Sequence, residues 1–266
     1  MAQMTFSAGS YTAQTAKPLP VILLLDTSLS MKTITDPENA VRTGEFGFED
    51  GQAVEYVRGG TMRITVLNKC VKKMLDTLAN FERDATEFLV AIITFGADTR
   101  VALKPIRASE ARFTPLTPAG ETPLGKALEV AKTLIEDRSQ IPHRCYRPLV
   151  VLVSDGQPND DWEGRLSDFI HEGLTSSCDR AALAIGSDAN REMLARFVEG
   201  TENGVSEAET AAEITKFFKY VTLSTIHRTK SQNPNAPIPA DEARRLVQKS
   251  ESQQNNDDDD DDPWYN

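Results

Sequence analysis

Asp26, Ser28 and Ser30 directly follow the apolar run Val21 to Leu25, and Asp155 closely follows a second such run, Leu149 to Val153. Each aspartate stands where a buried strand would end and turn. In an open parallel sheet, ligands bind in the crevice beyond such strand ends, at the point where the strand order reverses. If the two strands are neighbours, both carboxylates face that crevice, and they repel unless a proton or a cation lies between them. Ser28 and Ser30 share a side with Asp26 if the turn stays extended, because alternate residues face the same way. The set is then two carboxylates and two hydroxyls, all hard oxygen donors. Such donors suit Mg²⁺, Mn²⁺ or Ca²⁺, whereas Zn²⁺ prefers His and Cys. The chemistry this pattern offers is that of a metal site, not of a nucleophile.

The elements that would position these residues are legible around them. PVILLLD at 20–26, FLVAIITFG at 88–96 and PLVVLVSDG at 148–156 have the near-continuous apolar character of parallel strands buried on both faces, and AALAIG at 181–186 is a weaker fourth. Helical spacing recurs over 60–82, 122–137, 160–173, 189–199 and 208–226. Thr122-Pro123 reads as a capped helix start, and Asp160-Asp161-Trp162 as another. Strands alternating with helices predict an α/β fold: a doubly wound, mostly parallel central sheet with helices on both faces. TRVALKPI at 99–106 closely follows the second core strand and is expected to be an antiparallel edge partner. Residues 32–59 interrupt the path from the first strand to its helix and read as a β-hairpin-like insertion.

The 266 residues and 39% hydrophobic content suffice for one core of about 200 residues with extensions. The expected organisation is an N-terminal extension over 1–18, one domain over 19–228, and a Pro/Asn-rich, acidic tail over 229–266 with little fixed structure. The net charge of -11 argues against nucleic acid or an anionic membrane as a partner, and a net of -6 of it lies over 231–266, which ends in the run Asp257–Asp262 followed by Pro263, Trp264 and Tyr265. Aromatic residues beside such a run also suit a short docking peptide. Cys70, Cys145 and Cys178 form no CxxC pair and read as small buried hydrophobes. The N-terminus lacks the basic start and apolar stretch of a signal peptide, and no apolar run approaches the ~20 residues that span a bilayer. A soluble, cytoplasmic protein is expected. Neither GxxxxGK[ST] nor GxGxxG occurs, so a nucleotide site has little support.

Asp26-Thr27-Ser28-Leu29-Ser30 resembles the DxSxS motif of von Willebrand factor A domains. Gly120-Glu121-Thr122 is similar to their Thr-bearing loop, and Ser154-Asp155-Gly156 to their later Asp-Gly. The three motifs occur in the family's order, and the resemblance covers about 19–226. RPLVVLVSDGQPNDDWEGRL at 147–166 and ITKFFKYVTLSTI at 214–226 look most like the bacterial TerY-type, tellurite-resistance subgroup. The resemblance implies a metal-ion-dependent adhesion site. Ser28 and Ser30 would bind the ion directly, Thr122 directly or through water, and Asp26 and Asp155 mostly through water. An open coordination place would accept an Asp or Glu from a partner protein. The resemblance further implies a non-enzymatic role beside a Ser/Thr kinase and a PP2C-type phosphatase in stress or defence signalling.

Two departures from the family pattern bear on that expectation. Leu29 stands where the family usually has Gly, and a turn needing positive φ there would be strained. The insertion at 32–59 is rooted beside the site, where it could open it, cover it, or offer Asp36, Glu38, Glu49 or Asp50 as an internal ligand. Two other functions stay open: an adaptor subunit of an ATPase of the chelatase kind, and a Mg²⁺-dependent aspartyl phosphatase. The second needs a carboxylate two residues after Asp26 as general acid. Ser28 holds that position.

Overall fold

The computed structural model describes residues 16–49, 52–82 and 86–235, together with Arg245 and Gln248. The segment 1–15, Asp50, and the Asp257–Asp262 run with Pro263, Trp264 and Tyr265 lie outside the described residues.

Strand β1 (Lys17–Asp26) lies at the centre, with β4 (Thr86–Phe95) on one side and β6 (Leu149–Ser154) on the other. Both pairings are parallel, with Val21 opposite Val90 and Leu149. The sheet continues through β7 (Asp179–Ile185) to the short β8 (Val205–Ala208), and on the far side β5 (Thr99–Arg107) closes the edge, antiparallel to β4. The strand order is β5-β4-β1-β6-β7-β8. This is the doubly wound sheet the sequence predicts, including its antiparallel edge.

The two-faced burial explains why β1 is apolar at every position from 19 to 25. Val21, Leu23 and Leu25 pack in one layer with α1 (Arg63–Phe81) and α5 (Ala211–Lys230). Ile22 and Leu24 pack in the opposite layer with α2 (Leu124–Glu136), α3 (Trp162–His171) and α4 (Arg191–Val198). A strand flanked by helices on both sides cannot alternate apolar with polar residues without burying a polar group. Among the described residues, no helix is long and apolar enough to cross a membrane.

Strand β8 escapes a reading of pattern because only Val205 and Ala208 of its four residues are apolar. Its presence moves the start of α5 downstream, to where Thr210 and Glu213 form a reciprocal capping box. At the other end α5 runs on to Lys230. Beyond it the chain is held to the base of the sheet: Arg228 donates to the carbonyls of Pro234 and Arg147, and the Asn235 side chain accepts from the Arg147 amide. Cys70 and Cys178 are buried and Cys145 is half-buried, and burial pushes the Cys178 thiol up to about 12.

The insertion is an antiparallel hairpin, β2 (Ala40–Glu49) with β3 (Gln52–Gly59). Gly44, at φ +72°, sits in a bulge between Arg42 and Phe46. Phe46, Phe48 and Val57 share one face, and the two phenylalanines are 73% and 80% exposed. The root is fixed by Asp36, which accepts from the Thr61 amide and hydroxyl, and by a bridge between Ile34 and Met62. Replacing 41–58 by an Asn-Gly turn joins Ala40 to Gly59 and keeps this root. Calorimetry should then find the thermal midpoint within about 2–4 °C of the parent, a change of about 1 kcal/mol. A loss several times larger would mean that the hairpin packs on the domain.

Candidate functional site

The sequence order reverses between β1 and β6, so the crevice at their carboxyl ends is the switch point of the sheet. Asp26 is the last residue of β1, and Asp155 follows the last residue of β6. Both are fully buried. The loop after β1 is stitched to its surroundings through its backbone. The Thr27 amide donates to Phe95 O at 2.7 Å, Ala119 N to Thr27 O at 2.8 Å, and Leu29 N to Gly120 O at 2.9 Å. Gly96 permits this approach, because a Cβ there would stand 2.6 Å from Thr27 O and 2.7 Å from Ala119 O. These bonds bring three separate segments to one place.

The side chains form a connected chain of oxygens. Ser28 Oγ and Ser30 Oγ are 2.9 Å apart, and Ser30 Oγ donates to Asp155 Oδ1 at 2.6 Å. Asp26 accepts from the Ser28 amide at 2.8 Å and from Ser154 Oγ at 2.7 Å. The Thr122 hydroxyl has no hydrogen-bond partner among the described residues although Thr122 is buried. A Cβ added to Gly156 would lie 3.4 Å from Thr122 Oγ1 and 3.7 Å from Ser30 Oγ, so the two hydroxyls border the same small space. Asp26, Ser28, Ser30, Thr122 and Asp155 therefore gather at one crevice.

The route to that geometry differs from the expectation in three ways. The turn is not extended: Leu29–Lys32 is a 3₁₀ turn with Ser28 extended just before it, and this combination brings the two hydroxyls together. A 3₁₀ turn uses negative φ, so Leu29 carries no left-handed strain and buries its side chain in the core. Thr122 does not cap α2. Asp160 does so from a distant loop, its carboxylate accepting from the amides of Gly125 and Lys126, each at 2.9 Å. The cap of α3 at Asp161 correspondingly has no side-chain bond. With its capping duty taken over, Thr122 keeps its hydroxyl uncommitted.

Asp36 is not aimed at the site. It is spent at the hairpin root, where the Thr61 amide holds its carboxyl below the usual range. The residue that sequence reasoning missed is Arg63. Its Nη1 donates to Asp155 Oδ2 at 2.9 Å, with the arginine side chain 11% exposed and the aspartate fully buried. No local signal marks it, since an arginine at the start of an amphipathic helix reads as a solvated residue.

Electrostatics follow from burial. Desolvation first, and then the charge of Asp155, push the Asp26 carboxyl up to about 7 despite hydrogen bonds from Ser28 and Ser154 that favour its anion. Asp155 is also raised by burial, while Ser30 and Arg63 pull it back. Among the described residues, no three or more His, Cys, Asp or Glu side chains group in a way that could hold a metal ion. This cluster has two carboxylates, and the rest of its oxygens are hydroxyls.

The sequence matches no family model and no curated protein. Its fold, however, is well represented among solved structures. A von Willebrand factor type A protein from Catenulispora acidiphila superposes with a TM-score of 0.53 at 16% identity, over 79% of this chain and 43% of that one. The chain shares the von Willebrand factor A fold. Proximal thread matrix protein 1 from the mussel byssus, in a structure with a zinc-occupied MIDAS motif, gives 0.52 at 15% identity over 78% and 48% of the two chains. The ArnB paralog VWA2 from Sulfolobus acidocaldarius gives 0.51 at 14%, over 77% and 46%. The match spans less than half the length of each of these three proteins, and at such identities the likeness is one of fold.

The raised Asp26 carboxyl has a signed consequence. Because its folded value lies above the ordinary ~3.9, its contribution to stability is complete below about pH 4 and is lost as pH rises through about 7. In chelator, the thermal midpoint should fall between pH 5 and pH 8. Asp26→Asn should flatten that fall and raise the midpoint at pH 8 by on the order of 5 °C. The amide can still accept from Ser28 N, and the Ser154 hydroxyl can turn to accept from it. A variant with an unchanged slope would assign the pH dependence to another group.

Proposed function

We propose that this chain is a non-enzymatic docking module in which Asp26, Ser28, Ser30, Thr122 and Asp155 hold a divalent cation that takes up an Asp or Glu side chain of a partner protein. The observation that carries the reading is the chain of oxygens from Ser28 through Ser30 to Asp155, with the uncommitted Thr122 hydroxyl beside it. The donor set fits a hard cation, Mg²⁺ or Mn²⁺ before Zn²⁺, because every candidate ligand is oxygen. When bound, an ion with mostly neutral ligands keeps enough positive charge to attract an anion.

The chain's own residues do the rest. Ser28 and Ser30 would present lone pairs to the crevice by turning their hydroxyl protons aside. Asp26 and Asp155 supply the balancing charge from behind, and the Ser28 amide and Ser154 hydroxyl fix the orientation of Asp26. Thr122 closes the set from the third loop. The hairpin rises from the loop that carries Ser28 and Ser30, and its open Phe46, Phe48 and Val57 face offers a partner a second, apolar contact.

The mussel protein with its zinc-occupied MIDAS motif supports the reading by analogy of fold. On the likeness of 147–166 and 214–226 to TerY-type proteins, the reading extends to stress or defence signalling with a Ser/Thr kinase and a PP2C-type phosphatase. Co-purification of a ring ATPase instead would favour the adaptor role.

Mn²⁺ or Mg²⁺ titrated into the full chain should show one site by calorimetry. Thr122→Ala and Ser28→Ala should weaken it at least tenfold without changing the circular dichroism spectrum. EDTA should release the partner from the parent protein. Retention of the partner by both variants and in EDTA would sink the proposal.

A further inference from the structure

Two features of the molecule lie outside the function above: a cleft of about 250 Å³ at the base of the sheet lined by Arg138, Arg147 and Asn235, and the guanidinium of Arg63. The second is the more tightly built.

Arg63 opens α1 and is 9% exposed. Its amide donates to Thr33 O at 2.8 Å, which fixes its backbone to the loop that follows Ser28 and Ser30. Its guanidinium lies over Gly186, just beyond β7, which has φ +77°, and a Cβ there would collide with Nη2. The left-handed conformation and the missing side chain at Gly186 thus make the room that Arg63 occupies. From that berth Nη1 reaches Asp155 Oδ2 at 2.9 Å, while Ser30 takes the other oxygen. Both oxygens of Asp155 are engaged before any ion arrives.

We propose that Arg63 is a resident cation of the site: a positioning residue, acting through Asp155, that holds the divalent-ion affinity of the isolated chain low and makes the ion and a partner's carboxylate bind in concert. This rests on the metal reading above. Two ionised aspartates balance one divalent ion. With the guanidinium also present, the loaded site carries a surplus positive charge in a buried setting, where like charges repel strongly. The surplus opposes the ion alone and is cancelled when a carboxylate joins it. By linkage, the acid then tightens the ion by the factor with which the ion tightens the acid.

The test uses the full chain and Mn²⁺ alone as the probe, titrated by calorimetry, with folding followed by circular dichroism. Arg63→Met should bind Mn²⁺ at least tenfold more tightly than the parent. Arg63→Lys, which keeps the charge, should stay within about threefold of the parent. Without metal, Arg63→Met should melt below the parent, and saturating Mn²⁺ should raise its midpoint by more than it raises the parent's. If Arg63→Met does not fold without metal, Arg63→Gln is the second variant: its amide can still donate to Asp155 but carries no charge, and it should also tighten Mn²⁺. Equal or weaker Mn²⁺ binding by folded Arg63→Met or Arg63→Gln, beside a parent that binds in a Thr122-dependent way, overturns the role of Arg63 and leaves the metal reading intact. No Mn²⁺ binding by the parent or any variant overturns the metal reading itself, and this proposal with it.

Discussion

Two aspartates buried at adjacent strand ends, answered by a single guanidinium, are the constraint around which this molecule is organised. A fold can bury a carboxylate only if hydrogen bonds or opposite charge replace the water it loses. Asp155 receives both, from Ser30 and Arg63. Asp26 receives hydrogen bonds alone, and its carboxyl is pushed up to about 7. The imbalance is a structural cost borne at the switch point of the sheet, where ligands of such folds bind.

The sheet supplies the rigidity that makes this cost sustainable. The ends of β1, β4 and β6 are locked in register, the loop after β1 is held to Phe95, Ala119 and Gly120 by backbone bonds, and Ser30 ties it to Asp155 after β6. Gly96 and Gly186 serve the same end in different ways. One lets two loops touch, and the other admits an arginine. The Thr122 hydroxyl stays uncommitted because Asp160 satisfies the amides of α2 from another loop.

What was legible in the sequence was whatever repeats or sits beside its cause. The apolar runs at 20–26, 88–96 and 148–156 named the buried strands, and the helical spacing of Leu67, Cys70, Val71 and Met74 named the face of α1. Asp26, Ser28 and Ser30 could be read as a group because they lie within five residues. The proximity of Ser28 and Ser30 was anticipated on the wrong grounds, since a 3₁₀ turn and not an extended one makes it. Three things were not legible, and all are long-range. Arg63 meets Asp155 across 92 residues, and Asp160 caps a helix that begins 36 residues earlier. Strand β8 pairs through its backbone with too few apolar side chains to announce itself.

The bulge in β2 bears on how so apolar a ribbon can exist in solution. Two strands whose outer edges pair with no other strand among the described residues, with two phenylalanines in the open, have the makings of a template for cross-β growth. Gly44 in its left-handed conformation breaks the ladder between Arg42 and Phe46 and coils the ribbon there. A flat incoming strand cannot follow a coiled edge for more than a few residues. The same kink that gives the hairpin its shape therefore works against strand-by-strand growth along β2.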